Sequence, residues 1–231
     1  MADALPTTIS QTLDGYDLWS SAYDAADNPL IAMVNRALTL DPEPVANQRV
    51  LEIGCGTARL APRFLAQGAA SYTGVDGSPG MLAQARLLSD PRIHLLEADI
   101  HSTLPLPPHS FDVIFISLVL EHTATLAPIF DNIARLLAAN GTVRILELHA
   151  DRQRAGTAAH FPHHGEDIRL PSYPHDAAEL QHHLTLASLI HMRIIDRIPD
   201  PESLAHCPRL AKYKDLPLLL DVRATHPEFT L

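Results

Sequence analysis

The chain is poor in cysteine, with only Cys55 and Cys207 among its 231 residues. One stands in a glycine turn and the other far downstream, so no disulfide framework is suggested. Basic residues are also scarce: 17 Lys and Arg face 27 Asp and Glu, a formal charge of −10. Nucleic-acid binders draw most of their affinity from a basic stripe or patch that neutralises phosphates. No basic run exists here, which disfavours a DNA or RNA partner. No apolar run is long enough to cross a bilayer, so no membrane partner is expected. The opening Met1-Ala2-Asp3-Ala4-Leu5-Pro6 lacks the basic start and apolar core of a secretory signal. The expectation is a cytoplasmic protein.

What the chain does hold is one good core's worth of residues, 46% of them hydrophobic. One domain over 1–231 with an elaboration is therefore expected. Fourteen histidines and nineteen prolines are many, and the segment 151–175 is rich in both. From Tyr16 to Leu40 the pattern is helical, broken near Asp27-Asn28-Pro29. Strands are expected at 50–54, 71–76, 93–97, 111–117 and 142–149. Helices are expected at 57–67, 79–88 and 125–138 between them, with a helix-poor loop over 101–110. That alternation predicts an α/β fold, a mostly parallel sheet with helices on both faces. A helix over 176–190 leads to strands at 191–198 and 216–223. Joined without a helical crossover, those two strands read as an antiparallel pair at the sheet edge. Residues 10–40 read as an N-terminal helical lid. Residues 150–175 read as a substrate cap, because ligands bind outside the carboxyl ends of strands in open α/β sheets.

Glu52-Ile53-Gly54-Cys55-Gly56-Thr57 closes an apolar run with a glycine turn. Gly54 and Gly56 allow a tight turn and close approach to a ligand, while a dinucleotide fingerprint's third glycine is replaced by Arg59. A carboxylate at Glu52 repels a pyrophosphate and attracts an ammonium group. Asp76 ends a second apolar stretch, where a carboxylate can accept both hydroxyls of a ribose. A ligand with a ribose, no phosphates and a cationic amino-acid end fits: S-adenosylmethionine (SAM).

These motifs resemble the class I SAM-dependent methyltransferases, in particular the small bacterial type-11 group. Val75-Asp76-Gly77-Ser78 resembles the second strand with its ribose acid, and Glu97-Ala98-Asp99-Ile100 the adenine-binding corner. Phe111-Asp112-Val113-Ile114-Phe115 resembles the fourth strand. Leu136 to Thr142 resembles the turn into the fifth, with Asn140 where a glycine is usual. The resemblance implies a Rossmann-like sheet of seven strands in order 3-2-1-4-5-7-6. It implies cofactor contacts from Glu52, Gly54, Cys55, Gly56, Asp76, Gly77, Met81, Asp99 and Ile100. The backbone of Ser117 and Leu118 would meet the methionine amine. An aromatic segment like Tyr16, Trp19 and Tyr23 closes over the sulfonium in that group, and rings favour a cation by ~0.5–2 kcal/mol.

Candidates for chemistry are Tyr16, Tyr23 and His122, with His164 and His175 from the cap. A histidine near neutrality can orient a substrate or accept its proton. His160, His163, His164, Glu166 and Asp167 invite a metal reading, but none shows the regular helical spacing of zinc motifs, and no metal is expected. The expected activity is methyl transfer from SAM to a small-molecule acceptor in biosynthesis, releasing S-adenosylhomocysteine (SAH). Two alternatives keep the same cofactor residues. One is an intramolecular cyclase or lyase that releases methylthioadenosine; the other is a non-catalytic SAM-binding partner protein. Neither the acceptor nor the oligomeric state is legible.

Overall fold

A computed structural model describes residues 7–9, 11–25 and 27–226. Residues 1–6, read above for a secretory start, lie outside the described residues, as do Ser10 and Ala26 of the expected lid and 227–231. The elements in chain order begin with β1 (Thr7–Ile9), α1 (Thr12–Trp19), α2 (Pro29–Leu40), β2 (Arg49–Ile53), α3 (Ala61–Ala66) and β3 (Ser71–Asp76). Next come α4 (Pro79–Ala85), β4 (Ile93–Glu97), β5 (Phe111–Ser117), α5 (Ala127–Leu136) and β6 (Leu137–Leu148). The last are α6 (Ala150–Arg154), β7 (His160–His163), β8 (Glu166–Arg169), α7 (Ala177–Leu186), β9 (His191–Arg197), α8 (Pro201–His206) and β10 (Leu219–Thr225).

Seven strands form the main sheet in order β4-β3-β2-β5-β6-β10-β9. Counted from its own first strand, that is the expected 3-2-1-4-5-7-6. β2 to β6 run parallel, and β10 is antiparallel to both β6 and β9. Side chains alternate across β5: Val113 and Phe115 join one cluster with Met33, Leu38 and Phe64, whereas Ile114 and Ile116 join another with Ile133, Leu180 and Leu184. Both faces of the sheet are thus covered by helices, which is why its strands are apolar runs rather than alternating ones.

Helix starts follow the side chains that can cap them. Asn28 accepts the Leu30 N–H ahead of Pro29, Ser78 the Met81 N–H ahead of Pro79, and Asp176 the Glu179 N–H. The Asp27-Asn28-Pro29 break is therefore the cap of α2. α5 stops at Leu136 and the chain passes directly into β6, five residues before the strand expected from the sequence.

One expectation needs correction and another gains detail. Residues 150–175, read as a cap, contain α6 and the β7–β8 hairpin, and β8 pairs in parallel with β1 to make a separate three-stranded sheet. The connection between β9 and β10, expected to lack a helical crossover, carries α8 and a 3-10 turn at Pro208–Tyr213, although the two strands do pair antiparallel. Among the described residues no helix is long and apolar enough to cross a membrane.

Candidate functional site

A cavity of about 450 Å³ opens above the carboxyl ends of β2, β3 and β5. That size suits a small-molecule cofactor. All the cofactor candidates read from the sequence line it: Glu52, Gly54, Cys55, Gly56, Asp76, Gly77, Met81, Asp99, Ile100, Ser117 and Leu118. So do Tyr16, Tyr23 and His122.

The turn after β2 is built from left-handed residues. Gly54 and Gly56 have φ of 70° and 55°, and Ala58 follows with 54°. A Cβ on Gly54 would lie 2.3 Å from Val119 Cγ2, so this position has neither the conformation nor the space for a side chain. Leu118 is left-handed too, at φ 59°, where β5 gives way to a 3-10 turn at Leu120–His122. A non-glycine residue held in that region stores backbone strain, which clusters at ligand sites.

Charge is concentrated at the two ends. Glu52 is buried on β2 and accepts a short 2.5 Å hydrogen bond from the Tyr72 hydroxyl. Burial pushes its carboxyl up to about 7, against the opposing pull of that hydrogen bond and of Arg59. Ser117 Oγ is buried here without a hydrogen-bond partner among the described residues. A cationic amine with donors to spare fits that pairing of a buried acid and an orphan hydroxyl. Arg59 also lines the cavity, and among the described residues its guanidinium has a single long contact, 3.4 Å to Asn35. In the sequence reading Arg59 counts only as a missing glycine. A cation inside the glycine turn was the available signal that the ligand carries a carboxylate.

At the other end, Asp76 is half-buried. It accepts the Gly56 N–H at 2.7 Å and the Ser78 N–H at 2.8 Å, and burial raises its pKa over the lowering by these bonds. Asp99 is exposed and accepts from the His101 and Ser102 groups that follow it, which lower its pKa.

Tyr16, Tyr23 and Trp19 pack with Phe161, Ile168 and Leu170 in a small core of their own. Trp19 stacks on Phe161 with centroids 4.8 Å apart. The lid and the hairpin are therefore one cover. It is fastened to the sheet where Asp17 accepts from Ser78 Oγ and the Gly80 N–H.

His122 joins the cover to the cavity. Its Nδ1 lies 2.8 Å from the Pro171 carbonyl, which only accepts, so Nδ1 carries the proton. Nε2 then accepts from the Tyr16 hydroxyl at 2.8 Å. Burial lowers the imidazole to about 4, so it is neutral at pH 7 and orients Tyr16. The two cap histidines do not reach the cavity. His164 sits at the exposed tip of the β7–β8 hairpin with φ 47°, beside Gly165 at 86°, a turn geometry that needs two left-handed residues. His175 is buried but bonds the Thr123 carbonyl at 2.8 Å and Glu179 at 2.9 Å, tying α7 to the chain beyond β5. Among the described residues no three His, Cys, Asp or Glu side chains stand together as metal ligands.

The model of a methyltransferase domain matches residues 51–145. A demethylmenaquinone methyltransferase of Clavibacter sepedonicus is 33% identical over 139 residues, 57% of this chain and 56% of that protein. The chain thus spans about half the length of this curated relative. Two solved structures share the fold. A SAM-dependent methyltransferase of Mesorhizobium loti has a TM-score of 0.70 at 22% identity, over 84% of this chain and 98% of its own. A putative SAM-dependent methyltransferase of Listeria monocytogenes has 0.71 at 20% identity, over 87% and 100%. The sequence match over the glycine turn and the strands beside it agrees with the fold match over most of the chain: residues 51–145 are similar to a methyltransferase domain, and the chain has the fold of the SAM-dependent methyltransferases.

Proposed function

We propose that the protein transfers the sulfonium methyl of SAM to a small-molecule acceptor, as a single methyltransferase domain working in cytoplasmic small-molecule biosynthesis. The observation that carries this reading is the charge layout of the cavity. Glu52 and Arg59 offer one anion and one cation at the end where a zwitterionic amino acid must sit, and Asp76 and Asp99 offer acceptors at the other. Glu52 and Ser117 Oγ receive the ammonium, and Arg59 pairs the carboxylate. Asp76 accepts from the ribose, and Asp99 with the Ile100 N–H reads the adenine edge.

SAM, when bound, supplies a methyl carbon already activated by its leaving group. The chain's task is then positioning and the exclusion of water rather than heavy acid–base work. The Tyr16–His122–Pro171 chain holds one aromatic face over the cavity, and Tyr23 packs edge-on against Tyr16 at 6.0 Å between centroids. A small acceptor suits the overall charge, which repels polyanions.

Calorimetry on the purified protein tests the cofactor: SAM and SAH are expected to bind, and tighter binding of NAD would reject the reading. Incubation with SAM then separates the activities. SAH formed only with an added acceptor supports methyl transfer, methylthioadenosine indicates an intramolecular reaction, and binding with neither product indicates a partner protein.

A further inference from the structure

Tyr16, Tyr23 and Leu118 line two cavities at once. Behind them, away from the cofactor-sized cavity, lies a smaller one of about 110 Å³. Trp19 and the link between α6 and β7 form its walls, and Glu121 reaches it from the 3-10 turn after β5. A cavity of roughly 150 Å³ takes a benzene ring, so this one is on the scale of one small ring, with the rest of a molecule extending through its mouth.

Glu121 is 2% exposed, yet among the described residues its carboxylate has a single hydrogen bond, from Ser172 Oγ at 3.5 Å. His122 Nε2, 3.9 Å away, is committed to Tyr16. An ionised carboxylate has about four acceptor sites, so this one is under-supplied with donors at the wall of an aromatic cavity. Burial lifts it to about 7, a value suited to taking a proton at neutral pH. The other buried acid nearby, Glu147, accepts the Val119 and Leu120 N–H groups and lines neither cavity.

The mouth carries two exposed cations, Arg209 and Lys212. Arg209 gives one nitrogen to the Asp27 carbonyl, and Lys212 lies over the Tyr213 ring with its ammonium 4.6 Å from the centroid. Among the described residues the acid at this mouth is Asp27, whose carboxylate accepts the Cys207 thiol instead of pairing either cation.

We propose that this second cavity seats the methyl acceptor and that the acceptor is a small anionic ring compound with an O–H or N–H nucleophile. Glu121 takes the nucleophile's proton, and Arg209 and Lys212 hold the anionic group. The proposal rests on the methyltransferase reading. In the step, a lone pair of the acceptor oxygen or nitrogen forms the bond to the methyl carbon. The carbon–sulfur bond breaks with its pair left on sulfur, giving the neutral thioether, and the acceptor's proton passes to the Glu121 carboxylate. The shared lining is the reason for this placement. Tyr16, Tyr23 and Leu118 line both cavities, which puts the acceptor's seat and the cofactor's seat on either side of the same three residues.

The test uses SAH-saturated protein and three probes: 3- and 4-hydroxybenzoate, and 4-hydroxybenzamide as a neutral match. By calorimetry, at least one hydroxybenzoate should bind ten-fold or more tightly than the amide. The Arg209→Met/Lys212→Met variant should erase that preference while leaving SAH affinity unchanged. Glu121→Gln, an isosteric change, should keep hydroxybenzoate binding within three-fold and lower methyl transfer from SAM by roughly a hundred- to ten-thousand-fold. Equal binding of acid and amide, an unaltered preference in the double variant, or full turnover in Glu121→Gln would overturn the proposal. SAH binding without any hydroxybenzoate binding rejects the acceptor assignment alone, whereas failure to bind SAH rejects the methyltransferase reading beneath it.

Discussion

Asp76 serves the backbone as well as the cavity. Its two oxygens accept N–H groups from Gly56 and Ser78, so the carboxylate proposed to accept from a ribose also closes the glycine turn. Asp76→Ala should therefore do two things. SAM affinity should fall by roughly 1.5–3 kcal/mol for a lost charged hydrogen bond, and two backbone donors left without an acceptor should lower the melting temperature. Calorimetry and thermal melts on one sample check both, and a changed affinity with an unchanged melt would show that the turn holds itself. Arg59→Met is the complementary case. Among the described residues its guanidinium has only the long contact to Asn35, so the fold should tolerate the change while SAM binds about ten- to a hundred-fold more weakly. An SAH analogue lacking the carboxylate should bind wild type and variant alike. The residues that line the larger cavity were legible in sequence because each lies within a few positions of a strand end, so local pattern places it. His175 was not, since its partner Thr123 is distant in the chain and only packing brings them together.

At the scale of elements, the sheet could be read strand by strand because its central members, β2 and β5, are apolar on both faces. The cover could not. Pro162 and Gly165 read as loop residues, yet the first occupies a hairpin strand and the second its turn. β1 is three exposed residues with no periodic signal, and its pairing to β8 joins positions far apart in the chain. What welds these pieces is the Trp19–Phe161 stack and the apolar residues around it. Phe161→Ala should remove that weld. Aromatic-to-alanine changes in a core cost ~3–5 kcal/mol, more than a satellite core of this size can be expected to spare. Hydrogen exchange should then rise together in α1, β7 and β8, while β2 to β6 keep their protection. Tyr16 and Tyr23 share the cluster, so SAM affinity should fall along with turnover. Faster exchange in the hairpin alone would show that lid and cap are independent covers.

Across the whole molecule, three carboxyls are buried under the site. Burial lifts Glu52 and Glu121 to about 7 and Glu147 to about 8. In the unfolded chain each ionises near the ordinary glutamate value, so between that value and 7–8 the folded state holds more protons. Stability then falls as pH rises through this window, because the slope of unfolding free energy follows the protons bound in the unfolded minus the folded state. His122 acts oppositely: lowered to about 4, it gives a stability that grows with pH up to the ordinary imidazole value near 6.5 and adds nothing beyond. Below pH 6.5 the two effects compete; above it only the carboxyls remain. The melting temperature of the protein without ligand should therefore drop between about pH 6.5 and 8. SAM changes this through Glu52. An ammonium beside that carboxylate favours its ionised form, so binding near pH 6.5 should expel a fraction of a proton. Calorimetric enthalpies of SAM binding in buffers of different ionisation heat should reveal the release, and Glu52→Gln should abolish it while also weakening binding. Saturating SAM should likewise flatten the decline in melting temperature above pH 6.5. Proton uptake on binding, or a decline as steep with SAM as without, would place the ammonium away from Glu52.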